Sequence, residues 1–536
     1  MVKADIIISS NAVFTGNTDY PEPASIAISQ NKIIDIGSEE KIRKYAEETT
    51  EVYQYNNQLI IPGFHDNHAH IMMGSVALQS VDLFDAQSEK EAAEMVYKFA
   101  LNKPEEDWIL GYTWDSGYWD EQKLPHRSSL DTLIPDKPVI LFHAEGHYAW
   151  VNTKALERMN ITNETPNPSY GLIDRDNAGE LTGILYEKAM ELITKEAYDI
   201  PKSKMKDMLY SFLEYAAGLG VTSLNDMYGS EFMEKLDDYP LLKEIEKENG
   251  LTLRIHLWPA LNNTIQKSKE LRDEYQSNKL AVKGLKQFID GVITSKTALM
   301  LEPYSDDGIT LGESTFSPDV LEKWVAEADE EDFNVRFHAI GDGAIHLALD
   351  LFENAQKKNG TRNSRHSVEH IEVIDPDDIN RFAELGVVAS MQPNHFAMSE
   401  RSVYTKLIGE KRNEFVFSIN SLKKSGAHLS LGTDFPIDGL NPFDQIYRAV
   451  TRIDNTGKDT WNYKEKITLS EALKAYTKGP AYSASREHEL GTLEQGKLAD
   501  IVVLDRDIFN LPEEEILKTK VDLTICDGEI VYSSKK

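Results

Sequence analysis

The feature that most constrains this chain is a rhythm. Eight short apolar runs alternate with longer helical or loop segments between residues 59 and 436. The runs are LIIPGF (59–64), GVTSLNDM (220–227), LTLRIHLWP (251–259), LKQFIDG (285–291), NVRFHAIG (334–341), SVEHIEV (367–373), GVVASMQP (386–393) and AHLSLGTDFP (427–436). Runs of this length read as buried strands, and strands alternating with helices predict a parallel sheet covered by helices. Eight such units predict a (β/α)8 barrel. A doubly wound open sheet is the rival fold, but no Gly-rich dinucleotide fingerprint accompanies the first strand.

One interval breaks the rhythm. A barrel unit takes about 30 residues, since about 250 serve eight units. Between the first run and GVTSLNDM there are about 155 residues. An insertion at about 75–205 is therefore expected, with a strand-like run of its own, PVILFHAEGHYAWVN (138–152), and an aromatic-rich stretch, GYTWDSGYWD (111–120). It follows a strand's carboxyl end, where barrels build their active sites, so it should shape a substrate pocket.

The two ends of the chain resemble each other. ADIIISSNAVFTGN and SIAISQNKIIDIGS match KLADIVVLDRD and VDLTICDGEIVYS in type, and Asp527-Gly528 between alternating apolar residues is a hairpin signal. A small β-sandwich-like domain built from residues 1–56 and 480–536 is expected, flanking a barrel over 57–479.

Composition narrows the chemistry. The net charge is −32, which disfavours nucleic acid and anionic membranes as partners. A single cysteine, Cys526, excludes an intrachain disulfide framework and a thiolate metal cage. Any transition-metal site must use nitrogen and oxygen ligands. There is no signal-peptide pattern and no apolar run near the roughly 18 residues of a membrane span, so a cytoplasmic protein is expected.

The segment PGFHDNHAH (62–70) opens the metal question. In an extended chain residues i and i+2 face one way, so His68 and His70 can share an ion while His65 points elsewhere. Alone, H-x-H is a weak signal. It gains weight from Lys286, His338, His370 and Asp434, which sit on the expected strands four, five, six and eight. A barrel gathers strand ends on one face, so these residues converge. Imidazole nitrogen and carboxylate oxygen suit Zn2+. An ammonium has no lone pair, so Lys286 would serve a metal only as its carbamate, a long-armed anion able to bridge two ions.

The ordered set PGFHDNHAH, LKQFIDGVITSKTALM, FHAIGD, RHSVEHIEV, ASMQP, LGTDFP with NPF, and LGTLEQGKLADIVVLD resembles the metal-dependent amidohydrolase superfamily, specifically its amidohydrolase-3 (YtcJ-like) branch. The resemblance spans almost the whole chain. It implies a binuclear hydrolase with two divalent ions, zinc being expected. His68 and His70 match ligands of the more buried ion, and His338 and His370 those of the more exposed one. Lys286 matches the carboxylated bridge, and Asp434 the strand-eight aspartate that contacts the buried ion and handles the proton.

The implied reaction is hydrolysis of a non-peptide C–N amide bond by a metal-bridging hydroxide. Asp434 would take the water proton and pass it to the leaving amine. Expected substrate contacts are His147 in EGHYAWVN, Glu187 in LTGILYEKA, His395 in QPNHF, and Trp114, with Trp119 as a further wall. Deamination and ester hydrolysis run on the same scaffold and remain alternatives, and a non-catalytic binding barrel is a third. The partner expected is a small-molecule amide, with a homodimer as the default assembly.

Overall fold

The structure is a computed structural model that describes residues 2–229, 236, 238–398, 401–454, 456–457 and 460–535. It is an α/β fold. Two all-parallel sheets carry the expected strands. One orders Leu280–Val282, Arg254–Trp258, Val221–Met227 and Phe64–Ala69; the other runs in chain order through Gly284–Phe288, Asn334–Ala339, Ser367–His370, Val388–Met391 and His428–Leu431. Several of these strands, among them Val221–Met227 and Arg254–Trp258, are buried at every residue, as parallel strands covered on both faces require.

Among the described residues the two sheets are not one continuous sheet; single bridges join them at both margins. At one margin Ala69 bridges Phe435, the Asp434 N–H donates to the His68 carbonyl at 2.7 Å, and the His70 N–H donates to the Phe435 carbonyl at 2.8 Å. At the other, Ala260 bridges Lys286, whose N–H donates to the Pro259 carbonyl at 2.9 Å. The first margin demands a glycine. A Cβ on Gly432 would lie 2.5 Å from the His68 nitrogen, so the eighth strand end could not approach the HDNH segment with any side chain there.

Helices cover these strands for local reasons. Pro318–Glu330 starts on a proline after Ser317, Pro442–Thr451 is capped by Asn441, and Leu469–Ala475 carries a Thr468/Glu471 capping box. Asp342–Asn359 buries Ile345, Ala348, Leu349 and Phe352, a three-and-four spacing that puts one apolar stripe against the sheet. Among the described residues no helix is long and apolar enough to cross a membrane.

The run LIIPGF divides at Gly63. Leu59–Pro62 belongs to a different sheet, and the first site strand is Phe64–Ala69. That other sheet has eight strands drawn from both ends of the chain. Leu59–Pro62 lies between Ile6–Val13 and Ile501–Leu504, with Ile61 opposite Val502. Where a sandwich-like pair was expected, hydrogen bonding joins the strands as one sheet.

The segment after the first site strand folds as a six-stranded sheet of Val81–Asp82, Ile109–Trp114, Val139–His143, Tyr148–Val151, Leu181–Glu187 and Gly171–Arg175. PVILFHAEGHYAWVN is a hairpin within it, not one strand: Phe142 faces Ala149 across the ladder, and Gly146 takes the left-handed backbone (φ +74°) in the turn. That turn hangs Glu145 and His147 over the ends of the site strands.

Candidate metal centre

The cavity at the strand ends has a volume of about 340 Å³. Its floor holds His68, His70, His338, His370 and Asp434, and His395 enters from the segment after Val388–Met391. His147 and Glu187 close it from the inserted sheet. Five of its non-glycine residues sit at positive φ: His370 at +74°, Thr113 at +69°, Asp434 at +63°, Tyr170 at +54° and Glu187 at +48°. Such backbones cost about 1–3 kcal/mol each and cluster where a side chain must be aimed.

His68 and His70 converge as strand parity predicts, and their ring centres lie 5.4 Å apart. His65 turns away, its Nε2 3.2 Å from Nδ1 of the buried His256. The two ligand candidates are oriented by different acceptors. His68 Nδ1 lies 2.8 Å from the Glu369 carboxylate, and His70 Nδ1 lies 2.9 Å from the Met227 carbonyl. Each Nδ1 therefore carries the proton, assigned from these acceptors, and each Nε2 presents a lone pair. Both Nε2 atoms face the same oxygen, Asp434 Oδ1, at 3.3 and 3.0 Å. Two imidazole nitrogens and a carboxylate oxygen converging in this way are a donor set that a divalent cation takes.

Titration behaviour agrees. Burial holds the His68 imidazole well below its ordinary value, although Asp434 opposes this. Burial does the same to His338 and His370, so all three stay neutral and able to ligate. For Asp434 burial would raise the carboxyl, but His68, His70 and His395 together hold it below the usual range. It is an anion.

A second group of donors forms on the other side of Asp434. One atom each from His370, His395 and Asp434 lie within 4.8 Å of one another, as do atoms of His68, His70 and Asp434. His370 Nδ1 and His395 Nε2 are buried, have no hydrogen-bond partner, and lie 3.9 Å from Asp434 Oδ2. His338 stands outside both groups. Its Nε2 donates to the Gly291 carbonyl at 3.2 Å, and its ring centre is 4.4 Å from that of His370. His395, expected as a substrate contact, thus lies beside Asp434 together with His370. Two clusters of buried imidazoles sharing one carboxylate, with orphaned nitrogens in the second, fit divalent cations of the zinc type.

Lys286 lies beneath the cavity and does not line it. It is fully buried, its Nζ has no hydrogen-bond partner, and it sits 5.2 Å from the centre of the Phe288 ring, which does line the cavity. Burial pulls its amine down to about 8, against Glu369 and Asp434. A buried amine without a partner is costly unless it is neutral or modified.

His147 Nδ1 meets both Glu187 oxygens at 3.1 Å. Burial disfavours the imidazolium, but Glu187, Glu145 and Asp290 outweigh it and push the pKa up to about 9. Trp114 is a correction: it is fully buried in the core of the inserted sheet, its Nε1 donates to the Leu141 carbonyl at 2.8 Å, and it packs on Trp119 and Trp150. It contacts no substrate space, and Trp119 is buried with it.

Sequence reasoning missed three acidic groups. Glu369 orients His68 and is itself held by Arg336 at 3.3 Å and by Ser390. Asp290 accepts from the N–H groups of Ile340, Gly341 and Leu299 at 2.9–3.0 Å, and burial raises it to about 7. Glu372 accepts from the Tyr404 hydroxyl. The only signal for them was adjacency: Glu369 and Glu372 flank His370, and Asp290 ends LKQFID.

The chain is similar to known proteins. The chain is 32% identical to Protein LONG AFTER FAR-RED 3 of Arabidopsis thaliana, over 99% of this chain and 92% of the relative. It is 25% identical to the N-substituted formamide deformylase of Arthrobacter pascens, over 98% of each. The crystal structure of an uncharacterized metal-dependent hydrolase from Pyrococcus horikoshii superposes with a TM-score of 0.77 at 28% identity, covering 95% of this chain and 99% of that one. The sequence model described as the amidohydrolase family, Amidohydro_3, matches residues 52–532, and the chain belongs to that family.

Proposed function

We propose that the chain is a binuclear metal-dependent amidohydrolase that cleaves a non-peptide C–N amide bond. The observation that carries this is the meeting of His68 Nε2 and His70 Nε2 on Asp434 Oδ1, with His370 and His395 on the other oxygen. The bridges at both sheet margins support a (β/α)8 barrel carrying an insertion at about 75–205. The eight-stranded sheet supports a β-domain drawn from 1–56 and 480–536.

In this reading His68, His70 and Asp434 hold one ion. His370 and His338 hold the other, which requires His338 to give up its bond to Gly291. Zinc is the expected metal. Lys286, whose buried Nζ has no partner, would take up CO2 with loss of a proton, and its carbamate would supply an anionic ligand to such ions. Bound divalent ions supply Lewis acidity toward a carbonyl and acidify water.

The chain's own groups do the rest. Asp434, anionic and central, takes a proton from the attacking water. The water oxygen adds to the acyl carbon, the C–N bond breaks, and Asp434 returns the proton to the departing amine. His147, positioned by Glu187, donates toward the developing oxyanion from the cavity wall, and His395 contacts the substrate beside Asp434. The nearly full-length similarity to a formamide deformylase supports amide cleavage as the chemistry.

The test is metal analysis combined with a substrate panel. Reconstituted protein should hold about two metals per chain and release amine from N-formyl or N-acyl compounds. One metal per chain with ammonia release would point to a deaminase instead. Full activity after exhaustive chelation would overturn the reading.

A further inference from the structure

Of the cavity residues held at positive φ, Thr113 alone is β-branched, and +69° is a backbone that a branched side chain resists. It sits in the strand Ile109–Trp114, whose ladder to Val139–His143 takes in one residue too many. Gly111 is opposite Leu141 and Trp114 is opposite His143, so Tyr112 and Thr113 together stand against Phe142 alone. That is a β-bulge, a device that re-aims side chains beside active sites.

Side-chain direction shows what is re-aimed. In a regular strand Leu110, Tyr112 and Trp114 would share one face. Leu110 and Tyr112 do, both packing into the main core, and Tyr112 lines the cavity. Trp114 instead joins Ile109 in the separate core of the inserted sheet, where its Nε1 donates to the Leu141 carbonyl at 2.8 Å. Were Thr113 extended, alternation would turn the Trp114 indole to the Tyr112 side, toward the cavity. The bulge is also fastened. The Thr113 hydroxyl donates to the Asp82 carboxylate and accepts from the Leu83 N–H at 3.2 Å. Asp82 accepts in turn from the Phe84 N–H at 3.0 Å and does not line the cavity.

We infer that Thr113 is a positioning residue that sets the size of the substrate pocket. Through its fastened bulge it keeps Trp114 out of the cavity wall and leaves that wall to Tyr112. The inference rests on the amide-hydrolase reading only in taking this cavity as the substrate's.

Two substitutions separate this role from direct contact. Thr113→Gly keeps the left-handed backbone without strain. Thr113→Val keeps the side-chain shape and its strain but loses both hydroxyl bonds. Acting through the bulge makes Gly the mild change and Val the severe one; a side chain that only touched substrate would give the reverse order. With metal-loaded protein, the KM for N-formylnaphthylmethylamine relative to N-formylbutylamine should rise on the order of 10-fold in Thr113→Val and keep the wild-type ratio in Thr113→Gly. Any other pattern overturns the inference. The fluorine resonance of Trp114 in fluorotryptophan-labelled protein, identified by its loss in Trp114→Phe, needs no turnover. A small soluble nitroxide should leave it sharp in the wild type and in Thr113→Gly, and broaden it in Thr113→Val. Asp82→Ala, which cuts the fastening from outside the cavity, should broaden it too and serves where the Val protein does not fold. A sharp resonance in either folded variant overturns the inference, and so does loss of folding in both, which would make the bulge structural only. If neither amide is cleaved, the amide-hydrolase reading falls and the resonance decides the inference alone.

Discussion

His68 Nδ1 lies 2.8 Å from a carboxylate oxygen of Glu369, 301 residues further along the chain. This contact decides which nitrogen of His68 faces Asp434. Arg336 and Ser390 hold Glu369 in turn, and Arg336 also donates to the Asn67 carbonyl at 2.7 Å, two bonds from His68 along the backbone. Partners of this kind fix the tautomer and the ring angle, and losing one typically costs 10–100-fold in metal affinity. Glu369→Gln keeps an acceptor but loses the charge, so metal affinity should fall about 10-fold; Glu369→Ala should approach 100-fold. Competition against a chelator of known affinity measures both. Unchanged affinity in the Ala variant would show that His68 is oriented by something else.

Lys286 supports a second prediction. Its Nζ is buried without a partner, a state a lysine tolerates poorly unless its charge is removed. If it bridges two ions as a carbamate, Lys286→Ala should lose about half the bound metal or more and activity with it. Acetate or propionate at high concentration should restore part of both by occupying the space of the missing arm. Plasma mass spectrometry gives the metal count. Full metal content in the variant would assign Lys286 a packing role only.

Much of this was readable in the sequence, and the reason differs by residue. His68 and His70 were legible because side-chain direction in a strand follows from spacing alone. Asp434, His338 and His370 were legible because a repeating strand–helix pattern places strand ends together before any contact is known. Glu369 was not, because its role is a contact between two strands distant in sequence, and nothing local distinguishes it from a solvated acid. The Leu59–Pro62 error has another cause. A continuous apolar run is buried in either sheet, and only pairing with Ile6–Val13 and Ile501–Leu504 says which. The turn of the His338 ring toward the Gly291 carbonyl and the approach of His395 to Asp434 were not legible, because spacing does not encode ring orientation.

Trp114 illustrates the same limit and can be tested. An aromatic-rich segment reads equally well as pocket wall or as core. The structure makes it core, packed against Trp119, Tyr148 and Trp150 with its N–H satisfied. Trp114→Ala should cost about 3–5 kcal/mol of stability. The KM of whatever remains folded should change little, because the side chain lies outside the cavity. Urea unfolding and steady-state kinetics on one preparation check both. A large rise in KM with unchanged stability would return Trp114 to the substrate wall.

Acid sensitivity should centre on Asp329, away from the cavity. It is buried and accepts from His366 Nε2 at 3.2 Å, Asn359 at 2.8 Å and Ser364 at 2.9 Å, and it pairs with Arg362 at 2.6 Å. Burial alone would raise its carboxyl. Its partners, His366 first, overcome this and hold it well below the usual carboxylate range. A depressed folded-state value means the unfolded chain binds the proton more readily. The stabilisation is therefore fully present above the unfolded pKa of about 4 and disappears as pH falls through the lower folded value. Asp329→Ala should cost about 1–3 kcal/mol at pH 7, since it leaves the buried His366 Nε2–H without its acceptor. It should also flatten the loss of stability between pH 4 and pH 2 (about the window in which a depressed carboxylate titrates). Urea midpoints for both proteins across that range provide the measurement. Parallel curves would mean that the acid limb belongs to other carboxylates.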